Sequence, residues 1–232
     1  TLKMAETATL TITGVPVDVA STPISLIQGW NWIGYLPQNP GDVGTALASV
    51  VDLATFINSQ SSGTSTNYGD YGWYGGLTIL EPGSGYLLKM SAPGELVYPE
   101  FSGTSRLLSE NKQAVVLTDK ISDWDFHYGD YGFIGTISAS IDSREDFDDD
   151  VIGVFVGDEC RGLAERMYFP FDDNYFYIIQ VYSNVAHGEE LTFKYYNKAN
   201  DEVVEYDETL TFESNMIVGD GFNTFSLSRE AG

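Results

Sequence analysis

GSGYLLKMSAPGELVY, residues 83–98, is a turn, an apolar run, a second Pro-Gly turn and another short apolar run. That punctuation reads as strand, tight connection, strand. The start of the chain echoes it. Leu2-Lys3-Met4 matches Leu88-Lys89-Met90, and Leu10 matches Leu96, at a constant offset of 86 residues. A self-similar segment signals an array of units. The alternative is a chance likeness in a short match. On the first reading, residues 1–14 belong to a preceding repeat, and one complete β-rich module follows.

Working outward, TATLTITG at 7–14 alternates Thr with Ala, Leu and Ile, a strand pattern. Residues 15–27 hold Pro16 and Pro23 and many β-branched residues, so they are extended. Trp30, Trp32 and Gly34 share one face of the next strand, and Asn31, Ile33 and Tyr35 share the other. The tryptophan face is expected to be the core. Asp42–Leu53 is the one expected helix: Asp42 can cap it, and Val43, Ala46, Leu47, Val50 and Val51 recur at helical spacing. Residues 54–59 read as a strand, 59–67 as a Ser/Gly/Thr-rich loop, and 76–80 and 86–90 as strands. Residues 99–105 are a candidate linker.

Beyond it, strands are expected near 114–117, 131–141, 151–156, 161–164, 175–182, 190–197, 203–211 and 223–227. Turn signals fall every eight to twelve residues, at Gly157-Asp158, Asp172–Asn174, Ala186–Gly188, Lys198–Asp201 and Gly219–Gly221. Such spacing suits a sandwich of short antiparallel strands. The expected fold is therefore mainly β: a β-rich module at 1–105 with one short helix, then an antiparallel β-sandwich at 106–232.

Charge supports that boundary. The chain has 34 acids, 11 bases and a net charge of −23; residues 1–105 contribute −6 and residues 106–232 contribute −17. Such a surface repels phosphate backbones and anionic lipid, so nucleic acid and membranes are not expected partners. No apolar run reaches the length of a membrane helix. A single cysteine, Cys160, excludes an intrachain disulfide.

Two ordered blocks carry a resemblance. GWNWIGYLPQ, ALASV, YGWYG and EPGSGYLLKM span about 15–100; DDDVIGVFVGDECRGLA, VYSN, GEELTFKYYN and ETLTFE span about 120–228. They resemble tandem-repeat modules of surface and secreted proteins from environmental Bacteroidetes and related bacteria. The resemblance implies an extracellular or cell-surface, adhesin-like or carbohydrate-attaching segment, with neighbouring modules of its parent as partners. It supplies no catalytic residues.

Three groups of residues could carry chemistry. Asp142, Asp146, Asp148 and Asp150, with Glu145 and Asp149, crowd nine positions before a strand. Ca²⁺ takes six to eight oxygens, which an Asp-rich loop can supply. The same acids could be a solvated turn guarding a strand edge. The aromatic residues Tyr71, Trp73, Tyr74, Trp124 and Tyr131, beside Asp70 and Asp130, suit a polysaccharide or cell-surface glycan: flat rings pack on sugar faces and carboxylates bind hydroxyls. Five identical residues recur in Tyr68-Gly69-Asp70-Tyr71-Gly72 and Tyr128-Gly129-Asp130-Tyr131-Gly132. A shared turn, with glycine at positive φ, is the alternative reading. Cys160 lies beside acids that raise a thiol pKa, so a buried structural thiol is expected rather than a nucleophile. The expected function is non-catalytic attachment; a structural spacer or filament unit is the rival, and a glycoside hydrolase comes third.

Overall fold

In the computed structural model, residues 9, 11, 13–101, 124–141 and 150–228 are described. The expected strand at 114–117, most of residues 1–14 and of the 99–105 linker, and residues 142–149 lie outside them. The chain is mainly β, with one α-helix among the described residues. No described helix is long and apolar enough to cross a membrane.

The first half holds β1 (Ile24–Leu26), β2 (Gly29–Gly34), β3 (Gly41–Asp42), α1 (Val43–Ala46), β4 (Ala54–Ser59), β5 (Gly63–Asn67), β6 (Trp73–Gly75), β7 (Ile79–Leu80), β8 (Gly85–Met90) and β9 (Gly94–Leu96). The YLLKM run is indeed central: β8 lies between β2 and β4 in a five-stranded sheet ordered β2-β8-β4-β5-β6. Two small pairs, β1-β9 and β3-β7, flank it. Ile33, Ile57, Leu88 and Met90 turn one sheet face onto Val43, Leu47, Val50, Leu80 and Leu96, and that is the core of this half.

Three expectations change here. The helix is short, with α1 giving way to a 3-10 turn at Ala48–Val50. Asp42 does cap it, accepting from the Thr45 N–H at 2.9 Å. Gly44, Thr45 and the β-branched Val50 and Val51 are weak helix formers, and burial of Val43, Leu47 and Val50 needs only two turns. The loop expected at 59–67 contains β5, which pairs with β4 through a turn that has Gly63 at φ +92°. Its buried Thr64 and Ser65 hid it, since strand patterns are read from apolar residues. Finally, Trp30 and Trp32 do share a face, but it is not the core face. Ile33 and Tyr35 are buried, whereas Trp32 is 74% exposed.

The second half holds β10 (Phe133–Ile141), β11 (Val151–Val156), β12 (Glu159–Phe169), β13 (Asn174–Ser183), β14 (His187–Asn197), β15 (Glu202–Glu213), β16 (Ile217–Val218) and β17 (Phe225–Leu227). They form one eight-stranded sheet, ordered β15-β14-β11-β12-β13-β10-β16, with β17 also on β10. This sheet curls as a half-barrel, so the two layers of a sandwich are continuous with one another. The corner is β12. It pairs with β11 as far as Glu165 and with β13 from Arg166 onward, and its ladder with β11 has a register shift at Val154/Phe155, opposite Gly162 and Cys160. Strands that bend this way let one sheet turn a corner. The ladders are antiparallel except at β16 and β17, which run parallel to β10.

The concave face buries Ile137, Ile152, Val154, Ile179, Val181, Leu191, Phe193 and Phe212. On the convex face a smaller cluster gathers Trp124, Val151, Phe155, Cys160 and Leu163.

The halves touch along β13. Gln180 Nε2 donates to Asn58 Oδ1 at 3.0 Å and to the Ser59 carbonyl at 2.8 Å. The Tyr182 hydroxyl donates to the Gln60 carbonyl at 2.8 Å. These bonds satisfy polar groups of the β4-β5 hairpin that would otherwise be buried without partners.

Candidate functional site

The two echoed segments dock at opposite ends of β13. In the first, Gly69 (φ +64°) and Gly72 (φ +78°) close a 3-10 turn, with the Tyr68 N–H donating to the Gly72 carbonyl at 2.9 Å. Asn67 fastens the turn from below, donating to the Val51 and Ala54 carbonyls and accepting from the Gly69 N–H. The tyrosines then project toward the second half.

Tyr68 enters a ring cluster, with centroids 5.0 Å from Phe169, 5.9 Å from Phe171 and 5.6 Å from Phe222. Its hydroxyl accepts the Gly221 N–H at 2.8 Å, and burial pushes its pKa up. Tyr74 meets Phe169 and Phe171 edge-on and donates to the Tyr168 carbonyl. Tyr71 stacks on Phe171 at 4.7 Å with 28° between the rings. It nevertheless keeps 59% of its surface in solvent, and Phe222 keeps 43%.

Acids rim these open rings. Asp70 and Asp172 are exposed, as is Asp173, which accepts from the Tyr168 hydroxyl at 2.8 Å. Asp220 holds the Phe222 loop by accepting from the Phe222 and Asn223 N–H groups at 2.8 and 2.9 Å. Asn174 ties the two loops together, donating to Asp172 Oδ2 and the Gly221 carbonyl, each at 3.3 Å. Three separated segments, 68–74, 169–174 and 219–222, thus build one aromatic shelf. The sequence reading named Asp70, Tyr71 and Tyr74 but missed Phe171, Phe222 and Asp220. Gly219-Asp220-Gly221-Phe222 repeats the Gly-Asp-aromatic grammar of the echoed segment, and that was the available signal.

The other named residues fall elsewhere. Trp73 is half-buried against the core of the first half, and its indole N–H is buried without a partner. Trp124 is buried and meets Phe155 edge-on at 5.2 Å, so it offers no ring face to a ligand.

In the second echo the 3-10 turn starts one residue earlier in the motif, at Tyr128–Asp130, and its glycines are not at positive φ. The common turn expected from sequence is therefore only approximate. Tyr131 donates to Glu159 Oε1 at 2.7 Å and lies 5.1 Å beneath the Arg161 guanidinium; burial, then Glu159, pushes its pKa up. Arg161 is buried and paired with Glu159 at 3.3 Å and Glu189 at 3.2 Å. Its charge is spent on these internal partners. Asp130 is exposed, 3.9 Å from His127.

Of the acidic loop, Asp142, Asp146 and Asp148 lie outside the described residues. Asp150 is buried, and its oxygens accept from the Tyr195 hydroxyl and from the Lys198 N–H at 2.9 Å. That makes it a fastener of the β14 end. Among the described residues, no cluster of three or more His, Cys, Asp or Glu is disposed to hold a metal.

No protein-family model matches the chain, and neither the curated proteins nor the solved structures contain a match to it.

Proposed function

We propose that this chain is a non-catalytic, extracellular attachment segment that binds a carbohydrate weakly on the shelf of Tyr71, Phe171 and Phe222. One observation carries the reading: Tyr71 is 59% exposed although its ring is held against Phe171 at 4.7 Å. A platform already fixed in place loses little conformational entropy when a ligand arrives. Sugar C–H faces can pack on Tyr71 and Phe222, with hydroxyls reaching Asp70 and Asp172 beside them.

Affinity electrophoresis through gels containing a panel of neutral polysaccharides tests this. At least one should retard the protein, and Tyr71→Ala should abolish the retardation with little change in melting temperature. Unretarded migration across the panel, or retardation that survives in Tyr71→Ala and Phe222→Ala alike, overturns it.

A rigid spacer is the second reading. It is favoured by the hydrogen bonds from Gln180 and Tyr182 to the first half, which tie the two halves together.

A further inference from the structure

We infer that β2 is a self-association edge, through which two copies of this chain pair antiparallel about Asn31. Among the described residues, strand β2 ends the five-stranded sheet. Just past its end, the Tyr35 N–H donates toward β8, to the Ser84 carbonyl at 3.1 Å. Main-chain groups alternate direction along a strand, so those of Trp30, Trp32 and Gly34 turn away from β8. The Gly34 carbonyl is met from that outer side by the Tyr98 hydroxyl at 3.2 Å. Trp30 and Trp32 are left as the pairing positions of the edge.

Their sequence is symmetric. Trp30-Asn31-Trp32 reads the same in both directions, so a two-fold axis at Asn31 sets Trp30 opposite Trp32 of the second copy, and the reverse. Both pairs are in the outward phase, and each can exchange two main-chain hydrogen bonds. The same register brings four indoles onto one sheet face, where cross-strand aromatic pairs add stability. Trp32, at 74% exposed, is free to enter such a pair, and Ile27 nearby is 67% exposed.

Charge selects the occupant. Between Asp18 and Asp42 there is no charged residue, although the chain carries −23. Exposed edges are ordinarily guarded by charges, prolines or bulges; β2 has none of these. The strip has no acid, and Lys89 of β8 lies over the Trp30 ring at 5.5 Å, so this is where two such acidic molecules can approach with least repulsion, and its own symmetry makes a copy of itself the complement. Tyr98 closes one end of the edge, so the contact is short.

Sedimentation velocity at rising protein concentration tests the pairing, at low and at high salt. The expected result is a monomer–dimer equilibrium that shifts toward dimer in high salt, as the repulsion between the acidic bodies is screened. Trp32→Lys should remain folded and monomeric throughout. Amide hydrogen exchange on the unaltered protein supplies a check independent of any variant: the Trp30 and Trp32 amides should slow as dimer forms.

A monomer at every concentration and salt overturns the inference, as does a dimer that persists in Trp32→Lys or leaves these amides unchanged. Slowing of the same amides by a polysaccharide in the monomer would instead make the edge a glycan site and likewise overturn it. Tyr71→Ala should leave the dimer intact, so this inference and the carbohydrate reading fail separately.

Discussion

Cys160 shows how a residue's surroundings decide its chemistry. It is 3% exposed in the convex cluster with Trp124, Val151, Phe155 and Leu163. Burial, with smaller contributions from Asp125 and Glu159, pushes the thiol up to about 11. The thiol is then held protonated at pH 8, and the thiolate is the reactive form. The native protein should therefore leave a thiol reagent such as DTNB unreacted at pH 8, and one equivalent should appear when urea unfolds it. Immediate reaction of the native protein would contradict the buried placement. The sequence pointed to an unreactive thiol through its acidic neighbours; the larger cause is desolvation, which depends on a strand pairing that residue order does not reveal.

The same group gives a pH dependence with a definite sign. Its folded pKa is raised above its ordinary value, so its contribution to stability is complete below about pH 9 and is lost as pH rises through about 11. Tyr177, buried and pushed up to about 12, acts in the same direction at higher pH. Urea midpoints should hold between pH 7 and about 9 and fall steadily above that. A midpoint that rises with alkaline pH would show that these groups do not govern the region.

At the scale of elements, the turns were the most legible part. Gly157, Asp173, Gly188, Asp201 and Gly219, each inside a turn expected from sequence, all have positive φ. Glycine, asparagine and aspartate tolerate that region because their side chains are absent or short. The alternation of residues along β2 was equally legible, but alternation says which side chains share a face, not which face meets the core. That choice went to Ile33 and Tyr35 because the short helix and β9 pack on their side. Strand β5 was hidden because its buried residues are Thr64 and Ser65, which break the apolar pattern; the Ser65 hydroxyl donates to the Leu77 carbonyl at 2.5 Å. The shelf was half legible for a related reason: its rings come from three segments, and only one was recognisable by repetition.

Of the corner strand β12 the pattern marked only residues 161–164, not its full length or its turn from one neighbour to the other, and it makes the sharpest elemental prediction. A Cβ on Gly162 would lie 2.1 Å from the Gln180 carbonyl oxygen on β13. Backbone on both sides is fixed by ladders, so neither strand can yield without breaking hydrogen bonds. Gly162→Ala should cost about 3 kcal/mol or more, the range for severe overpacking. Gly157→Ala, where φ is +59° but the space is open, should cost about 1 kcal/mol from backbone strain alone. Urea denaturation of the two variants checks the order, and equal losses would mean that β12 and β13 do not approach so closely at the corner.

At the scale of the whole molecule, the question is whether the halves melt together. Each has its own sheet and core, so each has the means to unfold separately. What couples them is the junction: Tyr68 among Phe169, Phe171 and Phe222, Tyr71 on Phe171, Tyr74 against Phe169 and the Tyr168 carbonyl, the Gln180 bonds to Asn58 and Ser59, and the Tyr182 bond to Gln60. Truncating a large aromatic in such a cluster costs about 3–5 kcal/mol, comparable to much of a domain's stability of about 5–15 kcal/mol. The intact chain should accordingly show one calorimetric transition. Tyr68→Ala combined with Gln180→Ala removes the ring, the acceptor for the Gly221 N–H and the central amide bonds, yet leaves both cores untouched. Its melting curve should split into two transitions, the lower one shifted most, and its small-angle scattering should show a larger radius of gyration. Were the double variant still to melt in one step at an unchanged temperature, the coupling would have to run through something other than this junction, and the rigid-spacer reading would lose its support.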